Sequence, residues 1–243
     1  MSGARTPAQV VPAQLVPEIY DRLLAHHGPQ GWWPGDGPFE TIVGAILTQN
    51  TAWTNVEKAL ANLRAAEAMS WPAIRALPEE QLALLVRPSG YFNAKARKLK
   101  AFAAFMAERG DVLAAGSGRP GGAPRGAPGS AKELRAELLG VHGIGPETAD
   151  DIVLYAAGLP SFVIDSYTRR IVDRLGIAPD AHSYEAYQAL FEDHLPADAP
   201  AYNEYHALLD AHAKAVCTKR EPRCGACVLL DLCPTGAQRP PAQ

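Results

Sequence analysis

Apolar residues recur along most of this chain at intervals of three and four, the spacing that places them on one face of an α-helix. Stripes of this kind begin at Leu15, Phe39, Val56, Leu99, Ala149, Tyr167, Tyr187 and Tyr205. One segment, SFVID at 161–165, has the composition of a strand, but it is too short to build a sheet. The pattern therefore predicts an all-α fold.

The stretch 114–130, AAGSGRPGGAPRGAPGS, interrupts the helical stripes. It is rich in Gly, Pro, Ala and Ser, which bury too little apolar surface to offset the entropy of an ordered chain. We therefore predict a flexible insertion. A new helix should begin at Ser130, because SAKE places Ser and Glu at the two positions of a capping box.

The chain has 243 residues, 47% of them hydrophobic, which is enough for one or two globular domains. Neither a secretory signal nor an apolar run of membrane-spanning length is visible, so we expect a soluble, cytoplasmic protein. The net charge of −3 does not by itself indicate a nucleic-acid partner. Basic residues cluster at 95–100 and 214–223, where they form either solvated helix faces or patches for phosphate.

All four cysteines fall within seventeen residues, at Cys217, Cys224, Cys227 and Cys233. Without an export signal, such a group is more typical of metal binding than of disulfides. Zinc sites usually pair two short knuckles, whereas only one pair here is close in sequence. Four thiolates in one compact loop, the last followed by Pro234, favour a [4Fe–4S] cluster.

This loop, with EPRCGAC and LDLCP in it, resembles the C-terminal cluster loop of the endonuclease III superfamily of DNA glycosylases. Four further segments resemble that family in the same order. They are GPFETIVGAILTQNTAWTNVEKAL (37–60), GYFNAKARKLKAF (90–102), LLGVHGIGPETAD (138–150) and SFVIDSYTRRIVDRLG (161–176). The third resembles the family's helix-hairpin-helix and the fourth its catalytic-aspartate segment.

The resemblance implies two α-helical domains with the active-site cleft between them. One is a six-helix bundle at 31–159, which contains the helix-hairpin-helix and the 114–130 insertion. The other joins 1–30 to 160–243 and carries the cluster loop 217–233. Iron is not implied in hydrolysis; in this family the cluster shapes a basic loop.

The resemblance places the catalytic aspartate of the family at Asp165. Cleavage of a base from deoxyribose passes through an oxocarbenium-like transition state, which a carboxylate stabilises while it orients a water. Asp165 also directly precedes a helical stripe, where an aspartate is an ordinary N-cap. The two roles are compatible, and we expect both.

The motif GIG at 143–145 predicts a turn that grips phosphate. Gly143 and Gly145 both allow positive φ and so expose backbone N–H groups, and Pro146 is favourable at the first helical position. Such a turn is also common as a plain connector between helices. The resemblance implies further DNA contacts: Gln49 and Asn50 would fill the space left by a flipped base, and phosphates would be held by Lys95, Lys98, Arg220 and Arg223. Gln49 and Asn50 are equally suited to polar capping between helices.

Glu147 stands where bifunctional members of the family carry the lysine that forms a Schiff base and nicks the strand. A glutamate cannot form that imine, so a monofunctional glycosylase is expected. The segments GWWPGDGPFE, LTQNTAW and GIGPETAD resemble the 3-methyladenine glycosylase branch. Trp32, Trp33 and Trp53 are then candidate walls of a pocket for a cationic base, with Glu147 as a polar partner, although each tryptophan equally suits a core.

We therefore expect a monomeric base-excision DNA glycosylase that flips out and hydrolyses damaged bases, alkylated purines among them, from double-stranded DNA. In a prokaryote it would be associated with the nucleoid. The cysteine loop favours an alternative, a bifunctional endonuclease III-type enzyme and AP lyase that acts on oxidised pyrimidines. The missing lysine and the acidic net charge favour another, a non-catalytic DNA-binding protein of the same fold.

Overall fold

A computed structural model describes residues 12–33, 35–109 and 130–238 of the chain. Within these ranges every regular element is a helix and no strand occurs, so the predicted all-α class is confirmed. The chain divides into two compact units. One comprises the described residues of 33–161, and the other those before 33 and after 161. The predicted insertion lies outside the described residues, apart from Ser130.

The unit formed by 33–161 contains seven described helices. They are α2 (Gly37–Thr48), α3 (Trp53–Ala65), α4 (Trp71–Ala76), α5 (Glu79–Leu85), α6 (Phe92–Arg109), α7 (Ala131–Leu139) and α8 (Pro146–Asp151), the last continued by a π-helical turn at Ile152–Ala156. Helix α2 is the centre of the core, because all its residues from 40 to 47 are buried. The predicted start at Ser130 is confirmed, since its hydroxyl accepts from Glu133 N–H at 3.2 Å.

The other unit packs α1 (Pro12–His27) with α9 (Ser166–Leu175), α10 (Tyr184–Glu192) and α11 (Ala199–Ala215). Helices α9, α10 and α11 begin at side-chain N-caps, which are Asp165, Ser183 and Asp198. After α11 the chain forms a loop with two short 3₁₀ turns, Cys224–Ala226 and Leu230–Leu232, and ends in α12 (Pro234–Ala237).

Residues 161–164 of the segment SFVID are buried and form neither helix nor strand, and side chains satisfy part of their backbone hydrogen bonding. Glu192 accepts from Phe162 N–H at 2.9 Å, and Gln188 donates to Phe162 O at 2.8 Å. Tyr184 Oη accepts from Ile164 N–H at 3.1 Å. All three partners lie on α10, which therefore positions the residues that lead to Asp165. In the described part of the chain, no helix has the length and apolar character needed to cross a membrane.

Candidate functional site

Residues 141–145, here called the hairpin, connect α7 to α8. Gly143 has a φ of +83°, a left-handed conformation that favours glycine. Gly145 has a φ of −94° and a ψ of 177°, which is ordinary extended backbone. The prediction of positive φ is therefore correct for Gly143 and wrong for Gly145, because a single left-handed residue is enough to reverse the chain.

Gln49 and Lys98 meet at the hairpin. Gln49 Nε2 donates to Gly143 O at 3.3 Å and to Thr148 Oγ1 at 2.9 Å, while Lys98 Nζ donates to Gln49 Oε1. The end of α2, the helix α6 and the start of α8 are thereby linked through side chains. Asn50, next along the chain, is exposed and has a φ of +56°. Gln49, Lys98 and Gly143, three of the residues predicted to contact DNA, thus lie together. Asn50, beside them, is exposed to solvent.

The structure corrects the prediction that Lys95 holds a DNA phosphate. Its side chain is only 2% exposed, and Nζ donates to Leu47 O at 2.8 Å and to Ser89 O at 2.6 Å. Burial, with the nearby charge of Lys98, lowers the pKa of Lys95 to about 8. In this structure the ammonium satisfies two carbonyls at the ends of helical segments, so it does not reach a phosphate.

The acidic residues of GPETADD have separate roles. Asp150 is fully buried, where it accepts from Arg135 Nε at 2.9 Å and from Ser161 Oγ at 2.5 Å. Because Arg135 lies on α7 and Asp150 on α8, this ion pair fastens the two helices that flank the hairpin. Glu147 is exposed in the first turn of α8. Of these two carboxylates, therefore, only Glu147 is exposed to solvent.

Asp165 is the N-cap of α9, as its position in the sequence predicts. One carboxylate oxygen accepts from Thr168 N–H at 2.7 Å, and the other lies 3.9 Å from Nε2 of the buried His206. The side chain is 17% exposed, so the carboxylate is oriented by the helix and still reached by solvent. His206 was not singled out in the sequence, since a lone histidine within the apolar stripe of α11 carries no motif.

Two of the three predicted pocket tryptophans pack together. The rings of Trp33 and Trp53 lie edge to face with centroids 5.4 Å apart, and the ring of Tyr155 is 5.1 Å from Trp33. All three side chains are partly exposed. A Cβ at Gly44 would lie 3.2 Å from the Trp53 ring, so glycine at this position leaves room for the indole.

Trp32 belongs to the other unit. Lys214 Nζ lies 5.6 Å from the Trp32 ring centroid and 5.6 Å from that of Tyr167, and it pairs with Asp210 at 2.7 Å. Tyr155 was not predicted as a site residue, since no motif marks it in the sequence. Lys214 was noted only as a member of the basic cluster at 214–223, which suits a solvated face as well as a site.

All four cysteines line one partly open cavity. Among the described residues, no set of three or more His, Cys, Asp or Glu side chains is close enough to hold a single metal ion. The four thiols line the same space, and thiolate sulfur is a ligand of both zinc and iron–sulfur sites.

Three of the four sulfurs also have a nitrogen atom within hydrogen-bonding distance. Arg174 Nη1 lies 3.1 Å from Cys217 Sγ, His212 Nε2 lies 3.3 Å from Cys227 Sγ, and Gly236 N lies 3.3 Å from Cys233 Sγ. Burial raises the pKa of the Cys227 and Cys233 thiols, and a bound cation would favour their thiolate forms. Donors of this kind are the usual surroundings of thiolates that ligate metal.

The surface beside the cysteine loop is basic. Arg220 and Arg223 are exposed between Cys217 and Cys224. A neighbouring open groove is lined by Ser166, Arg169, Arg170, Asp173, Arg174 and Lys219. Arg170 and Arg174 donate to backbone carbonyls of the loop, including Cys217 O, and so hold it against α9.

A family model described as HhH-GPD superfamily base excision DNA repair protein matches residues 43–197. A protein assigned as a DNA repair glycosylase in Methanocaldococcus jannaschii is 39% identical over 224 residues, which cover 90% of this chain and 96% of that protein. An endonuclease III trapped as a covalent intermediate with DNA superposes with a TM-score of 0.76 at 21% identity, covering 94% of this chain and 99% of that one. An H. pylori 3-methyladenine DNA glycosylase bound to 1,N6-ethenoadenine gives a TM-score of 0.66 at 26% identity, covering 84% and 98%.

Proposed function

Because the chain belongs to the HhH-GPD superfamily of base excision DNA repair proteins, we propose that it is a monofunctional DNA glycosylase. Its substrate is duplex DNA that contains a damaged base, and its product is an abasic site in an intact strand. The observation that carries the proposal is Glu147, exposed in the first turn of α8, at the position where the sequence resemblance places the lysine of bifunctional enzymes. A carboxylate there cannot attack the sugar to form an imine.

Asp165 is the catalytic carboxylate in this proposal. As the C1′–N bond breaks, its electron pair leaves with the base, and the carboxylate stabilises the positive charge that develops on the sugar. A water then adds its oxygen to C1′ and loses a proton toward Asp165. The Thr168 N–H holds one carboxylate oxygen in place and leaves the other free to act. His206, 3.9 Å from that second oxygen, is a positioning residue.

The hairpin and the loop beside the cysteines supply the contacts to DNA. Gly143 exposes backbone N–H groups, which bind phosphate without a charged side chain. Lys98 lies beside the hairpin, and Asn50 is exposed next to Gln49 for insertion into the space left by a flipped nucleotide. Arg220 and Arg223 add positive charge from the other unit.

We further propose that the four cysteines hold a [4Fe–4S] cluster. The cavity that they line and the nitrogen atoms within hydrogen-bonding distance of three of their sulfurs support this assignment. When bound, the cluster serves as a structural cross-link of the loop that carries Arg220 and Arg223. Hydrolysis is the work of the protein side chains and of water.

Alkylated purines are the substrates that this site suits. The aromatic group of Trp33, Trp53 and Tyr155 offers faces to a cationic base, each good contact contributing about 0.5–2 kcal/mol. The likeness to a 3-methyladenine glycosylase supports the same substrate class. The cysteine loop favours a second candidate, excision of oxidised pyrimidines by an endonuclease III-type enzyme.

The test uses duplexes that carry 3-methyladenine, thymine glycol or uracil, each analysed with and without alkali. Strand cleavage that requires alkali, with 3-methyladenine as the best substrate, is expected. Cleavage without alkali, or a covalent complex trapped by borohydride, would contradict a monofunctional enzyme. DNA binding without release of any base identifies a non-catalytic protein.

Asp165→Asn tests the assigned carboxylate. We expect excision to fall by roughly 100- to 10,000-fold with DNA affinity unchanged, because the amide keeps the shape but loses the charge. Asp198→Asn is the matched control, since Asp198 also caps a helix, accepting from Ala201 N–H at 3.1 Å. Equal loss of activity in both variants would show that capping, rather than catalysis, explains the effect.

A further inference from the structure

A chain of hydrogen bonds runs from the end of α1 to one of the four thiols. His27 Nε2 lies 3.1 Å from His212 Nδ1, and His212 Nε2 lies 3.3 Å from Cys227 Sγ. The two imidazole rings meet edge to face with centroids 5.4 Å apart. His212 is 1% exposed and His27 is partly exposed. Both ring nitrogens of a buried histidine are therefore engaged, one of them by a proposed iron ligand.

The direction of these bonds follows from the chemistry of a ligating thiolate. A sulfur bound to iron carries no proton, so it can only accept, and His212 Nε2 must carry the hydrogen. His212 Nδ1 is then the acceptor in the neutral ring, and His27 Nε2 is its donor. The position of His27 thus determines which tautomer of His212 is stable.

We propose that the relay His27–His212–Cys227 maintains an N–H···S hydrogen bond on a cluster ligand and thereby raises the reduction potential of the cluster. The inference rests on the cluster assignment made under the proposed function. Hydrogen bonds to cluster sulfurs stabilise the more negatively charged, reduced state. A histidine that donates to a ligand and is oriented by a second group is the outer-shell arrangement of many metal sites.

His212 is the donor of this set that a substitution removes most cleanly. The donor to Cys233 is the backbone N–H of Gly236, which no side-chain change removes. The donor to Cys217 is Arg174, which also holds the carbonyls of Cys217 and Thr218, so its replacement would release the loop. His212 makes no hydrogen bond from its side chain to that loop other than to Cys227.

The experiment begins with iron and sulfide analysis of the purified wild-type protein and continues with its reduction potential by protein-film voltammetry. His212→Leu removes the donor by replacing the imidazole with an apolar side chain of similar size. We expect the equilibrium constant for reduction to fall roughly tenfold, which is about 59 mV toward lower potential for one electron. His212→Gln, whose amide retains an N–H donor, should restore most of the wild-type potential.

Two further variants separate the relay from general packing. His27→Leu should shift the potential in the same direction by a smaller amount, because it removes only the group that orients His212. His26→Leu is the matched control, since His26 is exposed and meets the relay in an edge-to-face ring contact with His27 at 4.5 Å, outside the two hydrogen bonds of the relay. Its potential should equal that of the wild type.

The outcomes distinguish the inference from the proposal beneath it. A wild-type protein without iron refutes the cluster, and the relay with it. A wild-type cluster whose potential is the same in His212→Leu and His26→Leu refutes the relay alone. If His212→Leu retains no cluster, the potential of His27→Leu tests the relay instead, because that variant leaves the surroundings of Cys227 intact. A lowered potential in His27→Leu supports the relay, and an unchanged one overturns it.

Discussion

Gly143→Ala tests whether the geometry of the hairpin, rather than its charge, holds DNA. At the φ of +83° adopted by Gly143, a residue with a Cβ is strained by about 1–2 kcal/mol. The added Cβ would also lie 2.4 Å from Lys98 Cγ and 2.7 Å from Lys98 Cδ. Both atoms belong to the stem of the lysine, so the whole side chain must leave its place.

Displacing Lys98 breaks its hydrogen bond to Gln49, which in turn donates to Gly143 O. A hydrogen bond to a charged group contributes about 1.5–3 kcal/mol, so strain and lost contact together amount to about 2.5–5 kcal/mol. The hairpin relieves part of this by changing shape. The relaxed hairpin must regain its shape to hold phosphate, so part of this cost is paid on binding. Since about 1.4 kcal/mol is a factor of ten, we expect affinity for duplex DNA to fall at least roughly tenfold.

Fluorescence anisotropy with a duplex that contains an abasic-site analogue measures this effect, at one fixed salt concentration. Gly145→Ala is the matched control: its φ is −94° and a Cβ there would meet nothing within 4 Å, so binding should be nearly unchanged. In a Lys98→Ala background the Gly143→Ala effect should shrink to the backbone strain alone. Equal affinity of the two glycine variants would refute the reasoning.

Three further predictions concern stability. Asp150→Asn should lower the free energy of unfolding by about 3–5 kcal/mol, because the buried ion pair with Arg135 loses its negative charge; a change of only a few tenths of a kcal/mol would contradict this. Wild-type stability relative to Lys95→Met should rise as pH increases from about 8 to 10.5, since unfolded lysine still binds a proton there and folded Lys95 has released it. The upper bound is about 3 kcal/mol, and a pH-independent difference in denaturation midpoints would be inconsistent with the buried ammonium. Gly176→Ala should lower the melting temperature by about 2–8 °C. Gly176 ends α9 with a φ of +72°, and an added Cβ would lie 3.1 Å from Pro234 Cγ. An unchanged melting temperature would argue against strain at that cap.

Local signals predicted a good part of this structure. Helical spacing indicated the all-α class. The hydroxyl of Ser130 and the carboxylate of Asp165 cap helices, as their positions in the sequence predicted. These predictions hold because a cap involves residues only three apart in sequence. The four clustered cysteines line one cavity for a related reason, since a loop of that length keeps its members close.

Predictions about charged side chains needed the tertiary structure. Lys95 and Lys98 differ by three residues on one helix, yet one is buried against two carbonyls and the other reaches the hairpin. Their environments are set by α2, about 50 residues earlier in the chain, and not by the local pattern. Asp150 and Glu147 differ in the same way, because Arg135 and Ser161 surround only the first.

The sequence by itself determined the helices, the capping Asp165, the cysteine loop and the absence of a lysine at 147, since each depends on residue type and short spacing. The tertiary structure decided which charges are buried, which aromatic rings touch, and that His27 and His212 lead to Cys227. Burial and long-range pairing bring together His27 and His212, which are 185 positions apart, and no local pattern encodes such a contact.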